Sequence, residues 1–192
     1  MLDVACGTGR WLHKCVDLGI RCSAGIDISE PMLTIATRKP AINQRLVLGD
    51  CTALPFADCI FDLVICSFAS WHIPNIHLLA QELARVTKSD GTVLVSDLHP
   101  EAYARGWRTG FRDSNGSKQI DAHPLTVAEL ISTFEIASLQ CSKHEALRFG
   151  EPEMAAFARA GRMDLFEEAM DVPAVAVFQF RRLASGVEWK RA

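Results

Sequence analysis

The segment Cys6-Gly7-Thr8-Gly9 joins a short apolar run (Leu2, Val4, Ala5) to the amphipathic run Trp11, Leu12, Cys15, Val16, Leu18. That order reads as a strand, a tight glycine turn and a helix. Without a Cβ, Gly7 and Gly9 let backbone N–H groups come against a ligand at the positive end of the helix. A short Gly-x-Gly is also a common chance turn, so the residues that follow must decide. Asp27 stands eighteen residues after Gly9. This is near the spacing of about 20 at which an acid ending a second strand meets ribose hydroxyls. A carboxylate suits that work because it only accepts hydrogen bonds and can take two adjacent hydroxyls. Ser29-Glu30-Pro31 follows at once, a good start signal for a helix, so capping is a second role open to Asp27. His72 and His99 follow later apolar runs, and either could strip a proton from an acceptor hydroxyl or amine. The structural alternatives are that Trp71 and His72 cap the next helix, and that His99, beside Asp97, is a solvated turn residue. His72 and His77 are five apart with no third ligand in view, so no metal site is expected.

Positioning these groups requires a sheet. Further strands read at Cys22–Ile28, Leu46–Leu48, Phe61–Cys66, Thr92–Ser96, Ile136–Ser142 and Val172–Arg182. Helical patterns separate them at Met32–Thr37, Leu78–Val86, Val127–Phe134 and Glu153–Met170. Apolar strands alternating with helices imply a parallel sheet covered on both faces. The expected fold is therefore α/β and Rossmann-like, a doubly wound, mostly parallel seven-stranded sheet. In such sheets ligands bind outside the carboxyl ends of the strands. Residues 101–124 are polar and contain glycine, with Tyr103, Trp107 and Phe111 spaced through them. A long loop of this kind is usually a lid or disordered, so it is expected to touch the acceptor. The stripe Met154, Phe157, Ala158, Leu165, Phe166, Met170 serves equally as core or as the surface of a homodimer.

Composition excludes several classes. The 192 residues, 49% of them hydrophobic and with no linker-like stretch, suit a single domain over 1–192. A formal charge of −3 provides no footprint for nucleic acid or an anionic membrane surface. No apolar run approaches the roughly 20 residues of a spanning helix, and Asp3 sits where a signal peptide would be apolar. The seven cysteines lie scattered, mostly in apolar runs, and read as reduced thiols of a cytoplasmic protein. Met1 stands one residue before the strand expected in the middle of the sheet, so an N-terminal covering helix is expected to be missing.

Five motifs occur in register: Asp3-x-x-Cys6-Gly7-x-Gly9; Asp27 after the second strand; Gly49-Asp50 followed by Leu54-Pro55-Phe56; Phe61-Asp62 opening the fourth strand; and Arg85 to Gly91 before the fifth. Together they resemble the class I S-adenosylmethionine-dependent methyltransferases, in particular the small-molecule group that includes quinone-biosynthesis enzymes. The likeness covers Leu2 to about Leu98 and fades beyond Pro100. It implies S-adenosylmethionine as cofactor and a small-molecule acceptor. Ala5, Gly7 and Gly9 would face the methionyl end, with Asp3 orienting the turn or its bound water. Asp27 would take the ribose, Ile28 would lie against the adenine, and Met32 would form an apolar wall. Asp50 would accept from the adenine amino group, the Cys51 N–H would meet the ring, and Ser67 would line the floor under the sulfonium. A nicotinamide dinucleotide fits poorly, because Leu12 occupies the place of the third glycine. Two readings remain: an active methyltransferase, favoured by Asp27 and Asp50, and a degenerate relative serving as partner or scaffold, favoured by the missing cover.

Overall fold

The apolar runs assemble edge to edge in the computed structural model, which describes residues 1–113 and 116–184. In chain order the elements are β1 (Leu2–Val4), α1 (Arg10–Asp17), β2 (Ala24–Asp27), α2 (Glu30–Ala36), β3 (Leu46–Leu48) and β4 (Phe61–Ser67). After a 3-10 turn at Ser70–His72 come α3 (Ile76–Val86), β5 (Thr87–Leu98), α4 (Pro100–Ala104), β6 (Gly110–Asp113) and β7 (Gly116–Gln119). The chain closes with α5 (Val127–Ile136), β8 (Leu139–Arg148), α6 (Glu151–Arg159), α7 (Met163–Met170) and β9 (Pro173–Arg182).

Seven strands form one sheet in the order β3-β2-β1-β4-β5-β9-β8. The first five are parallel, and β9 runs antiparallel to both its neighbours. Alternation along β4 shows why both faces are covered. Val64 and Cys66 join Leu2, Val4, Ile26, α3 and α5 in one core, whereas Leu63 and Ile65 pack on the other against Leu12, Cys15 and Ala36. This is the doubly wound, mostly parallel sheet expected from the sequence.

Three segments differ from expectation. The helix anticipated over Glu153–Met170 divides into α6 and α7, because Gly161 takes a left-handed φ of 67° that an α-helix cannot continue through. Residues 101–124 are not a plain loop: they hold α4 and the hairpin β6–β7, which pairs Phe111 with Lys118 and stands apart from the main sheet. The Phe111 side chain, named above as a lid aromatic, lies outside the described residues. Ile136 ends α5 rather than opening β8, and the left-handed Ser138 separates the two.

The strand order reverses between β1 and β4, which places a crevice at their carboxyl ends. Because β9 is antiparallel, its first residues and the end of β8 lie at this same edge: Val175 pairs with both Leu98 and Leu147. The segments that follow β5 and β8, and the one that leads into β9, therefore gather there too.

Candidate active site

The turn after β1 is held from three sides. Ala5, Gly7 and Gly9 adopt φ of 53°, 53° and 70°. A Cβ on Gly9 would come within 2.4 Å of Ile42 Cδ1, so glycine is required there, while the space beside Gly7 is open. The Cys6 N–H donates to the Ile26 carbonyl at 3.0 Å, and Lys39 Nζ donates to the Thr8 carbonyl at 2.6 Å. Buried Asp3 accepts from the Leu12 N–H at 2.9 Å and so ties the first turn of α1 to β1. The N-cap Gly9 supplies no side chain to α1, which, the Leu12 N–H apart, leaves the positive end available at the crevice.

Asp27 bridges two loops. Its Oδ2 accepts from the Gly7 N–H at 2.7 Å and its Oδ1 from the Ser29 N–H at 2.8 Å. Ser29, not Asp27, caps α2 through the Met32 N–H. Each carboxylate oxygen keeps a second lone pair. Beside it, Ile28 is 72% exposed and Leu48, which pairs with Asp27 across β2 and β3, 58%; Met32 is exposed as well. Large apolar side chains exposed next to a glycine turn are the surface that a flat, apolar-faced ligand would cover.

The loop after β3 hangs on the same strand end through the Gly49 N–H and the Asp27 carbonyl, 3.0 Å apart. Asp50 is exposed, and its Oδ1 accepts from both the N–H and the hydroxyl of Thr52 at 2.8 Å. Those bonds hold its carboxyl below the usual carboxylate range. Burial, then the charge of Asp50, pushes the Cys51 thiol up to about 11, with Asp27 adding to the effect. Burial, then Asp3 and Asp27, pushes Cys6 up to about 12. Neither thiol offers a thiolate near neutral pH, so neither is a nucleophile. The shared charges also mark Asp3, Cys6, Asp27, Asp50 and Cys51 as one cluster. Ser67 closes the row at the end of β4, its hydroxyl 2.7 Å from that of Ser96, and left-handed, exposed Phe68 follows.

Burial pushes the Asp3 carboxyl up to about 7, against the Leu12 N–H and with the charge of Asp27 adding. A folded-state value above the unfolded 3.8 means that the folded chain binds this proton more tightly, so stability falls as pH rises from about 4 to about 7. One proton changes stability by about 1.4 kcal/mol per pH unit across that window. Asn at position 3 keeps an acceptor for the Leu12 N–H and cannot ionise. Asp3→Asn is therefore expected to match the parent near pH 4 and to exceed it by about 4 kcal/mol at pH 8. Urea unfolding at the two pH values measures the difference, and an equal gap at both would refute the ionisation at Asp3.

The two histidines expected as bases are engaged elsewhere. His72 Nδ1 lies 2.7 Å from the Asp121 carbonyl, which only accepts, so Nδ1 carries the proton; Nε2 then accepts from Thr109 Oγ1 at 2.9 Å. His72 thus clasps the two feet of the β6–β7 hairpin and positions it. Its own turn is pinned by buried Asp97, which accepts from Ser70 Oγ at 2.7 Å and from the Trp71 N–H at 3.1 Å. His99 caps α4, its Nδ1 accepting from the Glu101 N–H at 3.2 Å. Burial lowers its pKa against the pull of Glu101, and His144 and Arg148 add to the lowering. With these bonds in place neither ring keeps a free lone pair: both nitrogens of His72 are engaged, and His99, whose Nδ1 accepts, carries the proton of its neutral ring on Nε2. Lys39, Asp97 and Thr109 were not legible as site residues, since each acts on a partner 27 or more positions away. All seven cysteines are free, and no group of three metal-ligating side chains occurs among the described residues. No helix among the described residues is long and apolar enough to cross a membrane.

Known proteins resemble this chain in sequence and in fold. Residues 2–95 match the family described as "Methyltransferase domain". Over 98 residues the chain is 41% identical to a demethylmenaquinone methyltransferase of Staphylococcus aureus; the aligned part is 48% of this chain and 40% of that relative. The chain thus spans well under half the length of the curated relatives it matches. Its fold is that of an S-adenosylmethionine-dependent methyltransferase from Mesorhizobium loti, with a TM-score of 0.74, 20% identity and coverage of 94% of this chain and 90% of that one. A second such structure, from Methanosarcina mazei, has a TM-score of 0.71 at 16% identity, covering 96% and 92% of the two chains.

Proposed function

We propose that this chain, whose residues 2–95 match the methyltransferase-domain family and whose fold is shared with S-adenosylmethionine-dependent methyltransferases, transfers a methyl group from S-adenosylmethionine to a small-molecule acceptor. One observation carries the reading: the Asp27 carboxylate touches the glycine turn through Gly7, keeps lone pairs free, and borders exposed Ile28. That is the acceptor for ribose hydroxyls and the apolar surface for an adenine face that a nucleoside requires.

When bound, the cofactor would supply an electrophilic methyl carbon; the acceptor atom would bond to it as the carbon–sulfur bond breaks and S-adenosylhomocysteine leaves, any proton on the acceptor passing to solvent. The chain's own residues bind, orient and exclude water. Asp27 accepts from the ribose hydroxyls, Ile28 and Met32 cover the adenine, and Asp50 with the Cys51 N–H meets its edge. Ala5, Gly7 and Gly9 shape the floor at the methionyl end, Asp3 and Lys39 hold that turn rigid, and Ser67 lines the neighbouring strand end. With His72 and His99 committed to structural bonds, rate enhancement rests on alignment and on exclusion of water rather than on a protein base. The segment 101–124, as α4 and the hairpin, covers the acceptor side. Seven free cysteines fit the reducing interior of a cell, where we place the protein.

Calorimetric titration with S-adenosylhomocysteine tests this. A Kd of about 10 μM, some −7 kcal/mol, is expected. Absence of binding overturns the enzymatic reading and leaves a methyltransferase fold that serves as a non-catalytic partner.

A further inference from the structure

A cavity of about 450 Å³ opens between the segment running from α4 into the hairpin and the pair α6–α7. It belongs to the size range of small-molecule sites. Its position follows from topology: α4 leaves the carboxyl end of β5, α6 follows the end of β8, and α7 leads into the start of β9, all at the edge where the glycine turn lies. Cofactor residues occupy the β3-β2-β1-β4 half of that edge; this cavity occupies the other half.

Its walls are aromatic. The Trp107 and Phe149 rings stack with centroids 5.5 Å apart and planes 17° from parallel, and Phe157 meets Phe149 edge-on at 5.5 Å. Leu165 completes the apolar lining from α7. Such walls suit a flat ring, which gains both area burial and ring contacts.

Its rim carries three charged residues, which are not equivalent. Arg105 is paired with Glu101 at 3.1 Å. Arg108 has no carboxylate within 4 Å among the described residues. Its Nη1 donates to the Tyr103 and Trp107 carbonyls, each at 2.7 Å, and its guanidinium lies 3.8 Å over the Tyr103 ring. Nε and Nη2 keep their hydrogens, so the group is a fixed fork of donors awaiting an anion. Glu168 stands on the α7 wall and repels an anion placed there, which gives the cavity a direction.

We infer that this cavity seats the methyl acceptor as a planar aromatic ring bearing a negative charge, which Arg108 takes at the α4 side. The identification with the acceptor rests on the methyl-transfer reading; the cavity's preference for an aromatic anion does not.

The test is equilibrium dialysis of the whole chain against 2-naphthoate, neutral 2-naphthol and cationic 2-naphthylmethylamine. At least tenfold tighter binding of 2-naphthoate than of the other two is expected. Arg108→Gln, at an exposed position, should erase that preference without lowering the melting temperature. Phe157→Ala should weaken 2-naphthoate and 2-naphthol alike, and Glu168→Gln should tighten 2-naphthoate severalfold. Equal binding of the three probes, tighter binding of the amine, no binding at all, or an Arg108→Gln variant that retains the preference overturns the proposal. S-adenosylhomocysteine is titrated in parallel. If it fails to bind while 2-naphthoate binds as expected, the acceptor identification falls and the aromatic-anion site stands; if it binds while 2-naphthoate does not, the cavity proposal alone falls.

Discussion

Replacing Asp27 with alanine lowers the affinity for S-adenosylhomocysteine by about a hundredfold or more. Two hydroxyl donors lose a carboxylate acceptor, and bonds to a charged acceptor contribute about 1.5–3 kcal/mol each. Roughly 3 kcal/mol corresponds to about two decades in Kd. The loss has a second source. Gly7 and Ser29 both donate to this carboxylate, so its removal frees the glycine turn and the start of α2 together. Asp27→Asn separates the two contributions, because one carbonyl oxygen can still take the Gly7 N–H while the second acceptor for ribose is gone. A loss of about tenfold is expected for Asn. Calorimetry on both variants, with thermal melts to show that they fold, makes the measurement. An Asp27→Ala variant that binds like the parent would remove the basis for placing a nucleoside at this edge.

Asp97→Ala is expected to cost on the order of 3 kcal/mol of folding stability. The carboxylate is 2% exposed and accepts from the Ser70 hydroxyl, the Trp71 N–H and the Leu98 N–H. Alanine leaves buried donors with nothing to meet. The damage should also travel. Asp97 holds the turn that carries His72, and His72 holds Thr109 and Asp121. The amide protons of Ile120 and His123, bonded to the carbonyls of Thr109 and Trp71, should then exchange faster in the variant. Urea unfolding gives the first effect and hydrogen exchange the second. Unchanged exchange at Ile120 and His123 would show that the hairpin does not depend on this carboxylate. Ser70→Ala, which removes a single bond, should cost about 1 kcal/mol.

The cofactor half of the edge is legible in the chain because its signals are local. Gly7 and Gly9 break an apolar run, Asp27 follows at a set distance, and the apolar triplet Leu46–Leu48 is itself β3. Periodicity reveals α3 and α5 for the same reason: each buries one stripe against the sheet. The other half of the edge is hidden, for three physical reasons. Gly161 interrupts a continuous apolar stripe, and the stripe alone does not say that its φ is positive. The hairpin strands Gly110–Asp113 and Gly116–Gln119 pair only with each other, apart from the main sheet, and their residues GFRD and GSKQ show no apolar alternation that would mark a strand. The role of His72 depends on Thr109 and Asp121, 37 and 49 positions away, and spacing carries no information over such distances. A histidine after a strand reads as a base; only the partners of its two nitrogens show that it is a fastener.

One imidazole gripping Thr109 and Asp121 makes the intervening ribbon an exchangeable cassette. Its two feet are stapled to each other through Ile120 and Thr109 and held at the Ser70–His72 turn by His72 and the Trp71 carbonyl, so the residues between them can be varied while the nucleoside-facing scaffold stays unchanged. A library that varies only the residues between Thr109 and Asp121 should leave the choice of donor unaltered, because the groups that meet the nucleoside all lie outside it.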